Sequence, residues 1–135
     1  MTRFLDYKSP AGNNLIAEWY CRISVEARAM FDDLLDVLSK KAIWSYPDFK
    51  RLDDGLGEIR WKCDKKQYRV IGCSWKEPQG YLLLIGCTHK QDIYDPPDAI
   101  GTADKRRRGL QFERKGGICE HQSPEDCTPE EQSLS

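Results

Sequence analysis

The stretch from Leu52 to Lys90, LDDGLGEIRWKCDKKQYRVIGCSWKEPQGYLLLIGCTHK, constrains the fold more than any other part of the chain. Its alternation of polar and apolar residues predicts three short strands, at about 57–63, 67–76 and 80–89. Two hairpin loops join them, Asp64-Lys65-Lys66 and Glu77-Pro78-Gln79-Gly80. In the first strand Glu58, Arg60 and Lys62 share one face, and Ile59, Trp61 and Cys63 take the other. The second strand adds Arg69, and the third ends at His89-Lys90. Leu82 to Ile85 is apolar on both faces, which predicts a central strand covered on both sides. A sheet that spends its polar face on arginine and lysine is suited to an anionic partner.

Around this block the chain predicts one helical layer. Asn14 to Arg22, NLIAEWYCR, reads as a first strand rich in apolar and aromatic residues. Ser24 offers a helix cap, and Ala27, Met30, Phe31, Leu34, Leu35 and Leu38 then recur at helical spacing. Asp98 to about Arg114 predicts a second helix, weakened by Gly101 and Gly109. The expected class is α+β: an N-terminal strand and a helix or helix pair on a small antiparallel sheet, with a peripheral C-terminal helix.

Residues 115–135 hold one base and five acids, a net charge of −4, whereas residues 1–114 hold 20 bases and 17 acids, a net +3. The division expected is a domain at 1–114 and an acidic, disordered tail at 115–135. Six cysteines, at 21, 63, 73, 87, 119 and 127, contain no CxxC pair, so reduced thiols are expected and no metal site. Cys119, His121 and Cys127 are the only grouping that a metal reading has to weigh, and their spacing is not finger-like. No apolar run is long enough to span a bilayer and the first residues lack a signal-peptide core, which makes a cytoplasmic protein with no membrane partner the expectation.

Three segments together resemble a known family. GLGEIRWK is similar to the G-L-x-E-L-R strand of the RelE/HigB-like toxins, including their phage-derived branch. QYRVIGCSW resembles the arginine-bearing strand that follows it there, and YLLLIGCTHKQDIYDPP the strand that leads into a lysine-rich turn and a proline. The resemblance covers about residues 13–112 and departs at Gly86-Cys87, where many members carry an aromatic, and at His89, which replaces one of two lysines. It implies a compact RelE-like toxin domain of a toxin-antitoxin system. It further implies ribosome-dependent endoribonuclease activity on mRNA without a cofactor, and a cognate antitoxin, often a helix-turn-helix protein.

Hydrolysis of RNA by acid–base chemistry needs a base for the 2′-OH, cations for the phosphorane and an acid for the 5′-oxygen. By the resemblance Arg60, Arg69 and Lys90 form the catalytic cluster, and His89 suits proton transfer. Lys62, Lys65, Lys66 and Tyr94 are the expected RNA contacts. Each also has a plainer reading: Arg60 paired with Glu58, solvated lysines, a locally bonded His89 and a packed Tyr94. The run Lys105-Arg106-Arg107-Arg108 is either a solvated face or a source of salt-dependent affinity for RNA. Two other functions fit the same fold expectation: a non-catalytic phage-derived binding protein, and a ParE-like inhibitor of gyrase.

Overall fold

The computed structural model describes residues 1–76 and 80–127. Its elements in chain order are β1 (Arg3–Lys8), α1 (Leu15–Tyr20), α2 (Val25–Ser39), β2 (Phe49–Arg51), β3 (Leu56–Cys63), β4 (Lys66–Trp75), β5 (Gly80–Lys90), β6 (Ile93–Asp95), α3 (Ala99–Arg108) and β7 (Gly117–Glu120). The strands make one mixed sheet in the order β2-β3-β4-β5-β1-β7, with β6 on the second half of β5. β1 runs parallel to β5, and the neighbouring pairs β2-β3, β3-β4, β4-β5, β5-β6 and β1-β7 are antiparallel. The α+β class stands, but the sheet is larger than the small antiparallel one expected.

The N-terminal strand lies earlier than 14–22. Phe4, Leu5, Asp6 and Tyr7 of β1 are all buried, and the acid among them hides the strand from a pattern reading. Within residues 14–22, Leu15–Tyr20 forms α1 instead. Asn14 caps it by accepting the Ala17 amide at 2.9 Å, and the buried Ile16, Trp19 and Tyr20 fall at i, i+3 and i+4, a helical period in a segment too short to display it twice. Ser24 caps α2 as expected, accepting from Ala27 at 3.1 Å.

The helices cover both faces. Under α1 and α2, Trp19, Phe31, Leu38, Ile59, Trp61, Val70 and Leu83 form one core. Phe31 stacks on Trp61, and Trp61 on Tyr68, with ring centroids 4.9 and 5.4 Å apart. Under α3 a second core gathers Leu56, Ile71, Leu82, Leu84, Ile85 and Cys87 around Ala99 and Ala103. The three expected strands hold with small shifts at their ends, and β5 is central and buried on both faces. The turn Glu77-Pro78-Gln79 lies outside the described residues. An irregularity after Ile71 sets both Leu84 and Ile85 toward the α3 side, where Arg106 donates to the Leu84 carbonyl at 2.7 Å. Gly86 permits Trp19 to lie on the sheet, since a Cβ there would meet the indole at 2.1 Å. The C-terminal helix ends at Arg108, and a π turn, Gly109–Glu113, follows it.

The segment after 115 is ordered further than its composition suggests. β7 pairs along β1, so Gly117–Glu120 obtains backbone partners that an acidic sequence does not advertise. His121 then reaches the fully buried Asp6, Nδ1 to Oδ1 at 2.8 Å, while Asn14 donates to the other Asp6 oxygen at 3.0 Å. Ser123 donates to Asp32, which also accepts from the Tyr20 hydroxyl at 2.7 Å. Cys127 forms a disulfide with Cys21, correcting the expectation of reduced thiols throughout. Cys63, Cys73 and Cys87 are free and buried as expected. Disulfides belong mainly to oxidising compartments, so the pair runs against the cytoplasmic expectation. No helix of the described residues is long and apolar enough to cross a membrane. Residues 128–135, the rest of the expected tail, lie outside the described residues.

Candidate functional site

Hairpin register builds the site. Arg60 of β3 lies directly opposite Arg69 of β4, and Arg69 opposite Cys87 of β5. One row along, Lys62 faces Gln67, Gln67 faces His89, and His89 faces Tyr94 of β6. The two-residue side-chain period therefore puts Arg60, Lys62, Arg69, His89 and Tyr94 on one face of the sheet, the face that carries α3 further along. Five of the eight residues expected from the sequence are brought together.

Glu58 is the hub. It is only 3 % exposed, and one carboxylate oxygen lies 3.6 Å from Nε of both Arg60 and Arg69. Its other oxygen accepts the Tyr94 hydroxyl at 2.6 Å, so Tyr94 crosses β5 and β4 to reach β3. Arg69, also 3 % exposed, donates to the Tyr68 carbonyl at 3.0 Å and to the Gln67 side chain at 2.5 Å. His89 packs edge-on against Tyr94, with centroids 4.8 Å apart. The guanidinium carbon of Arg60 lies 4.8 Å from the ring centre of Tyr46, a residue the sequence did not suggest.

Electrostatically, the cluster is short of negative charge. Two guanidiniums share one carboxylate, and Arg60 Nε, Arg60 Nη1 and Arg69 Nε are buried without a hydrogen-bond acceptor among the described residues. Burial lowers the pKa of Arg69, and the neighbouring Arg60 charge lowers it further, while Glu58 opposes both. Burial raises the Tyr94 pKa, and the hydrogen bond and charge of Glu58 add to that, so the phenol stays protonated. The Cys87 thiol is pushed up to about 12, first by burial and then by Glu58. Such a site can take an oxyanion through charge-assisted hydrogen bonds from two nearly dry donors.

The remaining expected residues lie apart. Lys90 follows His89 by one position, so it points to the opposite face, and it is exposed at the strand end. Lys65 and Lys66 are exposed at the β3–β4 turn, Lys66 with the parity of the opposite face. The run at 105–108 divides. Arg106 lies over the Tyr7 ring and caps the Leu84 carbonyl, and Arg107 bonds the Asp54 carbonyl and Asp104. Lys105 and Arg108 remain exposed. Cys119, His121 and Cys127 are spoken for by Asn14, Asp6 and Cys21 respectively. Among the described residues no group of three or more His, Cys, Asp or Glu side chains is arranged to hold a metal ion. Glu58 could have been singled out in the sequence by its place in the alternating strand beside Arg60. Tyr46 carried no such signal, since it lies outside any periodic segment.

Comparison with family models, with curated proteins and with solved structures finds no match to this chain.

Proposed function

We propose that this chain is the toxin of a toxin-antitoxin pair and cuts mRNA on the ribosome, using the Arg60–Arg69–Glu58–Tyr94 cluster. The observation that carries the reading is the register pair Arg60↔Arg69, with one buried and one partly buried guanidinium on a single carboxylate. Like charges directly opposite on a sheet destabilise it, and the single Glu58 carboxylate offsets only one of the two. A phosphodiester supplies the second negative charge in the geometry a guanidinium fork prefers. The element order supports the reading as well: an N-terminal strand, a helix pair, the antiparallel strands β3–β5 and a C-terminal helix come in the order the resemblance implies, with the short β2 and β6 interposed.

In this account Arg60 and Arg69 bind the scissile phosphate and stabilise the charge that builds on it. His89, on the same face, takes the 2′-OH proton as the 2′-oxygen attacks phosphorus. The bond to the 5′-oxygen breaks, and that oxygen leaves as an alcohol with a proton drawn from solvent at the exposed Lys62 side. Glu58 and Tyr94 position the arginines and do not touch the reacting atoms. Lys90 has no place in the cluster, although exposed lysines there and at 65–66 can add salt-dependent contact with RNA. A helix-turn-helix antitoxin is the partner that goes with this function.

Induced expression of the wild-type chain and of the Arg60→Ala/Arg69→Ala double variant tests the reading, following growth and the 5′ ends of cellular mRNA. The reading expects growth arrest and new in-frame ends, both lost in the folded double variant. Arrest that survives the double change with no new ends removes the nuclease and favours an inhibitor of gyrase. Neither arrest nor ends from the folded wild type leaves a binding protein.

A further inference from the structure

We propose that the cavity at the free edge of β3 is a nucleotide subsite, in which Tyr46 stacks one unpaired RNA base while Arg60 and Arg69 hold that nucleotide's phosphate. The inference rests on the reading of the basic cluster as an RNA site, and it names which part of the RNA is held and by what.

β2 pairs with β3 only over Gly57–Ile59, and the Arg60 amide is the next to find a partner, the Asp48 carbonyl at 2.8 Å. Beyond it the edge of β3 is left open by β2, and a cavity of about 540 Å³ forms there. Two kinds of wall meet in it. Met30 and Leu34 from α2, with Tyr46 and Pro47 from the loop before β2, make an apolar side. Arg60, Lys62, Gln67 and Arg69 make the other, and Asp48 also lines the cavity. Both arginines bring buried N–H groups that no described residue accepts. Tyr46 is 69 % exposed, and Met30 is exposed as well, so the apolar side stands open beside the cations.

An anion alone would satisfy the arginines and leave the apolar wall without purpose. A peptide carboxylate would do the same. A nucleotide joins a flat, weakly polar face to a phosphate at a fixed short distance, and this is the combination the cavity presents. Aromatic side chains next to a cationic track are the general means of holding single-stranded nucleic acid, because every base has a π-face. The contact between Arg60 and the Tyr46 ring ties the two parts together, since the guanidinium orients the ring by cation–π attraction. Sequence preference is expected to be weak, because stacking does not read base edges.

Binding of small ligands to the full chain tests this directly, with adenosine 5′-monophosphate and ribose 5-phosphate as probes and Trp61, which lines the cavity, as the fluorescent reporter. The nucleotide should bind at least about 5-fold tighter than the sugar phosphate, the smallest gain expected from one base stack. Tyr46→Ala should weaken the nucleotide by roughly 5- to 150-fold and leave the sugar phosphate unchanged, and Tyr46→Phe should restore it. Arg69→Gln should weaken both probes, with near-ultraviolet circular dichroism reporting that each variant is folded. Equal affinity for the two probes, or a Tyr46→Ala chain that binds the nucleotide as the wild type does, overturns the subsite. Cleavage is read separately. New mRNA ends from a chain without Tyr46-dependent binding would keep the nuclease and discard the subsite, and Tyr46-dependent binding without cleavage would do the reverse.

Discussion

Replacing Glu58 by glutamine removes the charge that the two guanidiniums share while keeping an oxygen for the Tyr94 hydroxyl, so the change is close to purely electrostatic. Each pair has a 3.6 Å separation. At an effective dielectric constant of about 20, a contact of that length is worth roughly 4–5 kcal/mol before the cost of drying the ions. Two such contacts, offset by the desolvation of Glu58, leave a net loss in the range of about 3–5 kcal/mol, the usual cost of stranding a buried charge. For a domain of this size that lowers Tm by roughly 10–20 °C. Urea unfolding at neutral pH and scanning calorimetry measure it. A second arm separates the ion pair from the site. Inorganic phosphate should raise the Tm of Glu58→Gln more than that of the wild type, because an anion can stand in for the missing carboxylate. A loss below about 1 kcal/mol would mean that Glu58 does not hold the arginines and would refute the reasoning. So would a normal loss that phosphate does nothing to restore.

Gly86→Ala drives a Cβ into the Trp19 indole and should cost roughly 1–3 kcal/mol in urea unfolding, as overpacking does; a neutral result would mean that Trp19 does not lie on β5. Native thiol labelling should spare the buried Cys63, Cys73 and Cys87, the last two with thiols pushed up to about 11 and about 12 chiefly by burial. In denaturant four cysteines should react before reduction and six after it, and six in both would remove the Cys21–Cys127 bond. Tyr81 and Tyr94 have raised folded pKa values, Tyr81 chiefly by burial, so their contribution is intact below the unfolded value of about 10 and is lost as pH rises above it. Unfolding midpoints between about pH 9 and 11 should therefore fall, and Tyr94→Phe should flatten the slope; a slope unchanged in that variant would contradict the buried bond to Glu58.

The middle of the fold was legible because its strands alternate cleanly. Ile59, Trp61 and Cys63 against Glu58, Arg60 and Lys62 leave one arrangement open to them, and register then follows from the short β3–β4 turn. The ends were harder to read. β1 carries Asp6 at its centre, and Asn14 and the distant His121 together make that acid tolerable, a pairing no local pattern reveals. α1 is too short for its period to separate from a strand's. β7 is strand because β1 offers it an edge, a tertiary cause acting on a sequence rich in glycine and acids. At the site, alternation predicted the shared face of Arg60, Lys62 and Arg69. It could not supply the reach of Tyr94 across two strands, nor the arrival of Tyr46 from an irregular loop. Lys90 was misplaced because family resemblance at a turn does not fix parity, and one residue exchanges the faces.

Cleavage by the purified chain of an mRNA held on ribosomes, read for the chemistry of the new ends, addresses the central claim most directly. The account predicts upstream fragments ending in a 2′,3′-cyclic phosphate, lost in a folded Arg69→Gln chain. Intact mRNA with the folded wild-type chain, or ends that persist unchanged in Arg69→Gln, would contradict it.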